Sequence, residues 1–468
     1  MTESRSTSPR FWNVETTLIV ILIAIAIVSR LVDLGARTMS HDEINHVVPA
    51  YDYFQGRTYN YDPVTHGPFQ FHIMALSFFL FGDSDFTARL PYALFGIFSI
   101  AFTLIYFRRY LGRVGALAAG IFLLISPYML FYQRYARNEA YIVVWGLLTI
   151  YTILRYLEEG NPPLLFLFTA INALHFTDKA TSYIFAALEL FFLIAYLIHR
   201  VTRTRWENET QFRNFLMGLM AAIVTFGAAA FIYVTQKPLP QPLLVTVVIL
   251  GVCGLAGLAF SVVGMVKGFG VANLRSERSF DLLILLGTLV LPLGAALPVK
   301  LTGGNPLAYD TPSIIRDAII IALLAIVAVG IGWWWKREKW FIHAAIFYIP
   351  FFLLYSSFFN NGVGVAGGFM GALGYWMEQQ GVQRGSQPWY FYLFVQIPIY
   401  EFLPAIGAFI AVVIGAVKRL WIAEPGQPFT RAQSFKVKSK PFPHWHCSFF
   451  GPFPHCWHFP TLVRRCPG

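Results

Sequence analysis

Charge is what this sequence has least of. Aspartate, glutamate, lysine and arginine make up 13% of its 468 residues, against roughly 25% in a soluble domain, so a surface solvated by water all round is excluded. Cysteine is scarce as well. Cys253 lies inside an apolar run, and Cys447, Cys456 and Cys466 fall in the last 22 residues. None sits in an expected outer loop, so no disulfide framework is implied. The run after the short basic leader Met1–Arg10 lacks a small-residue cleavage site and is followed directly by Arg30 and Asp33. It reads as a retained anchor rather than a removed signal peptide. What the chain has in abundance is apolar surface: 56% hydrophobic residues, with 45 Phe, 23 Tyr and 12 Trp. One soluble core could not bury that much, and the class is an all-α polytopic membrane protein.

Twelve runs are expected to cross a hydrocarbon core about 30 Å thick. They are Thr17–Leu31, Phe86–Phe107, Gly115–Phe131, Tyr141–Tyr156, Leu164–Thr177 and Ser182–Ile198, then Phe215–Tyr233, Leu243–Val266, Leu282–Leu297, Ile314–Trp335, Phe341–Tyr355 and Tyr390–Val417. A thirteenth run, Phe69–Phe81, is short. Read as a span it would turn every later basic loop outward. Read as interfacial or re-entrant, it leaves Arg108, Arg109 and Arg113, the His199–Arg205 cluster, Lys336–Lys339 and Lys418–Arg419 all on the cytoplasmic side, as the positive-inside rule asks. The same clustering accounts for the net charge of +11 without nucleic acid, which is excluded as a partner. The organisation is then a cytoplasmic basic N-terminus (1–16), a transmembrane domain (17–420) and a cytoplasmic tail (421–468). The tail is rich in Pro, His, Cys and Phe, and its composition suits a disordered segment better than a zinc site, since no standard ligand spacing is met.

On this topology the polar residues converge outside the cytoplasm. The first outer loop, 33–85, carries Ser40-His41-Asp42-Glu43-Ile44-Asn45-His46 and Tyr59-Asn60-Tyr61-Asp62-Pro63-Val64-Thr65-His66-Gly67-Pro68. Asp42 and Glu43 suit a capped helix start, but they also offer what a transfer reaction needs, a carboxylate able to take a proton from an attacking hydroxyl. Arg134-Tyr135-Ala136-Arg137-Asn138-Glu139 forms the next outer turn. It fits snorkelling anchors with a local ion pair, or a phosphate clamp beside a second carboxylate. Asp178 and Lys179 occupy a very short break between apolar runs, where charge is costly unless paired or used; a mutual pair and a lysine on a phosphate both fit. The late loop 359–388 is Gly-rich and ends on an aromatic and basic stretch that includes Arg384 and Trp389. Its glycines suggest a mobile cover, and its far end a stacking, anion-holding surface.

Together these motifs resemble the GT-C superfamily of polyprenyl-phosphate-sugar-dependent glycosyltransferases, whose relatives include protein O-mannosyltransferases and the aminoarabinose transferase of lipid A. Asp-Glu after a first span, His-Gly-Pro, Phe81 to Leu90, Leu111 to Arg113 and Ser126 to Glu139 carry the resemblance. The Tyr-Asp-Pro-Val-x-His-Gly-Pro stretch and Gln-Arg-Gly-x-Gln-Pro-Trp-Tyr are similar to the branch of flippase-activity-associated proteins. The resemblance covers about Thr17 to Arg200 and Gly381 to Glu401. It implies a GT-C type bundle with a helical first extracytoplasmic loop, and an inverting transfer of sugar from a polyprenyl-phosphate donor outside the membrane. Asp42 would be the base and Glu43 its support. Lys179 and nearby arginines would hold the lipid phosphate, Glu139 stands where the family more often has Asp, and no cofactor is required. His46, Tyr61, Asp62, His66, Arg134, Arg137, Asp178, Arg384 and Trp389 complete the expected substrate-binding set. The acceptor, whether glycan, lipid or protein, stays open.

Two alternatives compete. A transporter or flippase of lipid-linked glycans would also need many spans, but the spans show no two-half repeat with paired broken helices. A metal-dependent hydrolase would use Asp42 and His46 on one helix face; however, His41-Asp42-Glu43-x-x-His46 departs from His-Glu-x-x-His by one position.

Overall fold

The computed structural model describes residues 13–57, 59–236, 240–380, 382 and 385–417. The chain divides into Met1–Thr430 and Arg431–Gly468; the second unit, and with it the whole of the expected tail 421–468, lies outside the described residues. Every regular element among those residues is helical.

Helix α1 (Val14–Leu31) starts where Asn13 accepts a hydrogen bond from the Thr16 N–H at 2.9 Å. Two helices then fill the first loop, α2 (His41–Phe54) and α3 (Phe69–Phe81). The carboxylate of Glu43 reaches back to the Ser40 N–H at 3.1 Å and closes the start of α2, the geometry of a capping box. At 13 residues α3 is apolar yet too short to span. Its first half is buried, while Phe79, Leu80 and Phe81 at its end are exposed. Helices α4 (Asp85–Tyr106), α5 (Arg108–Ile125), α6 (Pro127–Tyr132), α7 (Glu139–Glu159), α8 (Pro162–Asp178) and α9 (Ser182–Arg203) follow as a serpentine. The long hairpin α10 (Glu209–Thr235) and α11 (Gln241–Gly268) comes next. Later helices include α12 (Val271–Ser276), α13 (Arg278–Val290), α14 (Ala296–Leu301), α15 (Thr311–Lys336) and α16 (Glu338–Tyr355).

Seven helices are long and apolar enough to cross a membrane, or up to eight if the bent pair Tyr392–Tyr400 and Phe402–Val417 counts as one span. The expected twelve are therefore not reached among the described residues, and the reasons are local. Pro127 ends the expected run Gly115–Phe131 after Ile125 and starts α6 anew. Leu282–Leu297 is interrupted by a 3-10 turn, Leu291–Gly294, around Pro292. α8 has 17 residues, and the last run bends by 109° at Glu401. Proline removes an N–H and clashes with the preceding turn, which a hydropathy average does not register. The Gly-rich stretch of the late loop is helical: Gly362–Ala366, a π-helical turn Gly367–Gly371 and Ala372–Gln379 run in succession.

Contacts fix the two ends of the bundle. At one end Glu15 pairs with Arg108 at 2.9 Å and Arg113 at 3.3 Å, and Arg109 pairs with Glu158 at 2.9 Å. Arg278 donates to the carbonyls of Leu157 and Glu158 at that end. The opposite end gathers the starts of α2, α4, α7 and α9 and the close of α8. Its core is Phe69, Phe71, Met74 and Phe78 of α3 packed on Tyr92 of α4, Tyr141, Val144 and Trp145 of α7, and Ile171 of α8. That packing carries the first loop as a rigid cap on the serpentine.

Candidate active site

Adjacent acids of α2 go to opposite places. Residues one apart on a helix point about 100° from each other, so Glu43 turns inward and Asp42 outward. Glu43 is fully buried. Its oxygens accept from Arg89 at 2.7 and 3.0 Å, Arg37 at 2.9 Å, and the N–H groups of Ala136 and Ser40 at 3.1 Å each. Burial alone would raise its pKa, but the Arg89 bonds and the two N–H groups outweigh it and hold the carboxyl below its ordinary range. Glu43, expected to support Asp42, makes the contacts of a structural tie. With both oxygens occupied it ties α2 to α4 and to the turn before α7, and it positions its neighbour.

A second tie joins the first loop to the end of α8. The Gly67 N–H donates to the Asp178 carbonyl at 2.8 Å, and a Cβ at Gly67 would stand 2.2 Å from the Thr177 carbonyl oxygen. Only glycine permits that approach. The Asp178 side chain is fully buried and accepts from Asn138 Nδ2 at 2.6 Å and Trp145 Nε1 at 3.2 Å. The ion-pair contact of Lys179 is with Glu139 rather than with its neighbour.

With both ties made, four charged side chains fall into line. Asp42 Oδ2 meets Arg137 Nη1 at 2.8 Å, Arg137 Nε lies 3.6 Å from Glu139 Oε1, and the same oxygen meets Lys179 Nζ at 2.8 Å. Side-chain exposure rises along the line, from 10% at Lys179 and 15% at Glu139 to 29% at Arg137 and 51% at Asp42. The array runs from a buried cation to a solvent-facing carboxylate, its four charges cancel, and Glu139 Oε2 is buried without a hydrogen-bond partner.

His46, one turn beyond Asp42 and buried, faces this line. Gln70 Nε2 gives one hydrogen to the Thr65 carbonyl at 3.0 Å and the other to His46 Nδ1 at 3.2 Å. Nδ1 is therefore an acceptor, and the ring is neutral with its proton on Nε2. Burial, followed by the charges of Arg137 and Lys179, pushes its pKa down to about 4.

The remaining expected residues disperse. His66 stacks on His46 with centroids 6.2 Å apart. Tyr61 packs edge-on against Tyr355 at 4.8 Å and lies over Gly367. Asp62 is exposed and caps the turn Pro63–Thr65 through the Val64 N–H. Arg134 donates to the carbonyls of Ser29 and Asp33 and so closes α1; it is not directed at the charged line. Arg384 and the side chain of Trp389 lie outside the described residues. Among the described residues no three His, Cys, Asp or Glu side chains gather as a metal-binding group. Sequence reasoning missed the roles of Arg89, Asn138 and Gln70. Arg89 had a signal, an arginine in the fifth position of the apolar helix α4, where charge is retained only when paired or used.

Residues 65–228 match the family model described as dolichyl-phosphate-mannose-protein mannosyltransferase. That segment holds Gly67, Arg89, Arg137, Glu139, Asp178 and Lys179, while Asp42 and His46 precede it. No curated protein matches the chain. Among solved structures, an archaeal oligosaccharyltransferase, AglB from Archaeoglobus fulgidus, in complex with an inhibitory peptide and a dolichol-phosphate, is similar with 13% identity and a TM-score of 0.37. It covers 89% of this chain, and this chain spans 57% of its length; a likeness of that degree carries no assignment. The family likeness extends over residues 65–228 of a chain in which seven helices are long and apolar enough to cross a membrane.

Proposed function

We propose that this protein moves a sugar from a polyprenyl-phosphate donor to an acceptor hydroxyl or amide on the extracytoplasmic face, with inversion at the anomeric carbon. The observation that carries the reading is the line Asp42–Arg137–Glu139–Lys179, which sets a solvent-facing carboxylate at one end and a sequestered cation at the other.

The chemistry follows from the charges. Asp42 takes the proton from the acceptor as its heteroatom bonds to the anomeric carbon, and the bond from that carbon to the phosphate oxygen breaks with its electron pair. The donor is a phosphodiester with one negative charge, and the departing polyprenyl phosphate gains a second. Arg137 and Lys179 therefore interact more strongly with the leaving group than with bound donor, which is what lowers a barrier. In the unliganded protein Glu139 keeps both cations in place. The fixed Nε2–H of His46 supplies a neutral donor to the same space, and above about pH 4 it does not titrate. Burial of Lys179 beside Asp178 and Trp145 keeps water from the phosphate end. A protein acceptor is the choice favoured by the family description.

Transfer of labelled sugar from a polyprenyl phosphosugar in detergent tests the reading. Asp42→Asn should lower kcat by about 10²–10⁴ without changing the unfolding temperature, because its ion pair is half exposed and worth little. Full activity in Asp42→Asn would refute the assignment.

A further inference from the structure

Just before the Arg134–Glu139 turn the chain forms the six-residue helix α6, and three of its residues are aromatic. Both of its ends are clamped. At the start, Ser126 Oγ accepts from the Met129 N–H at 3.1 Å and donates to Glu401 at 2.5 Å, at the bend of the last helix pair. Beyond its close, the Tyr135 hydroxyl lies 2.5 Å from Ser40 Oγ, the residue that opens the helix bearing Asp42. Phe131 is taken up by Tyr135, at 4.9 Å between centroids, and by the Arg37 guanidinium at 5.6 Å. Tyr132 meets Phe131 edge-on at 5.1 Å and Tyr135 at 5.9 Å, which fixes its ring, and Tyr128 stands exposed beside it. Tyr128 and Tyr132 meet at 4.5 Å with a 51° tilt, forming an open wedge, and Tyr128 is 45% exposed. Both phenols feel the charges of Glu139 and Arg137, and Tyr132 that of Asp42 as well.

We infer that the wedge of Tyr128 and Tyr132 is the platform on which the pyranose ring of the phosphosugar stacks. The inference rests on the donor chemistry proposed above and extends it to the sugar. A tyrosine offers an apolar face and a polar tip, and a pyranose offers the complement, a C–H face bordered by hydroxyls. A hydrocarbon tail would use only the ring faces, and neither the phenol tips nor the charged line beside them. The clamps at Ser126 and Tyr135 hold α6 to the bend at Glu401 and to the start of the helix that bears Asp42, so a sugar stacked there lies beside that line.

The test uses the full chain in detergent, with Tyr128→Leu, Tyr132→Leu and Tyr128→Trp. Donor KM, acceptor KM and kcat are measured together with inhibition by sugar-free polyprenyl phosphate. Each leucine variant should raise donor KM by about three- to tenfold, the size of one aromatic contact. Tyr128→Trp should stay near wild type, and inhibition by polyprenyl phosphate should not move. Unchanged donor KM, an equal loss of polyprenyl phosphate inhibition (a tail-binding surface), or a rise confined to acceptor KM would each overturn the inference while leaving the transferase reading intact. Failure of the unmutated chain to use or bind any polyprenyl phosphosugar would overturn both. A folding check by thermal unfolding accompanies each variant, and Tyr128→Phe replaces any leucine variant that unfolds early, with a donor KM near wild type expected and a loss as large as for leucine contradicting ring stacking.

Discussion

Removing Arg89 should cost this protein more stability than any other single truncation around the site. Its guanidinium is fully buried and makes two bonds to Glu43. It also donates to the carbonyls of Leu34 and Arg37 at 3.0 and 2.8 Å. Arg89→Met would leave the Glu43 carboxylate buried beside a half-exposed Arg37 and two N–H groups, and would strand those carbonyls. Breaking a buried pair from one side costs about 3–5 kcal/mol, and the stranded carbonyls put this variant at the upper end. Glu43→Met leaves Arg89 with carbonyl acceptors and belongs at the lower end. In Glu43→Met/Arg89→Met the loss should fall short of the sum, since neither charge is left alone. Thermal unfolding of the detergent-solubilised chain, followed by intrinsic fluorescence, reads all three. Wild-type stability in Arg89→Met would refute the anchor argument. So would a Glu43→Gln variant of normal stability that transfers no sugar, because Glu43 would then be acting in the reaction itself.

Three further outcomes are expected. Lys179→Met should reduce kcat by about 10²–10³, the usual effect of losing one preorganised group at a developing charge, with a smaller change in donor KM; the reverse pattern in steady-state kinetics would mean that the lysine only binds. Gly67→Ala should destabilise by about 1–3 kcal/mol, because its Cβ meets the Thr177 carbonyl, and unfolding at the wild-type temperature would contradict the docking of the first loop on α8. Stability should fall on acidification in two stages. His46 is held neutral, so its contribution is complete above its ordinary 6.5 and is lost as the pH drops toward about 4; the lowered Glu43 contributes above 4.5 and is lost below it. In His46→Phe the first stage should shrink in unfolding curves recorded between pH 7 and 4, with the remainder due to other buried histidines such as His72, which burial also holds below its ordinary pKa.

The helical class, the first loop with its two helices and the charges that meet at one end could all be read from the chain. Asp42, Arg137, Glu139 and Lys179 stood out because each interrupts or borders an apolar run, where charge is retained only for a reason. The division of labour between Asp42 and Glu43 could not be read. Adjacent residues share composition and spacing, and what separates them is Arg89, 46 positions along the chain. Nor could the fate of Arg134, since two arginines three residues apart look alike until α1 offers its carbonyls to one of them. The span count failed for a different reason. Apolar averages run smoothly through Ser126-Pro127 and Pro292, where the backbone does not. The glycines of 362–374 suggested motion by composition, yet Gly367 makes close packing against Tyr61, a use of glycine that sequence alone does not separate from flexibility.

The most direct measurement is a cryo-EM map of the full chain with polyprenyl phosphate bound. The account predicts phosphate density touching both Lys179 Nζ and the Arg137 guanidinium, with Asp42 facing the same space from the solvent side. Phosphate density at the other end of the bundle, among Arg108, Arg109 and Arg113, or at the near end without contact to Lys179, would contradict it.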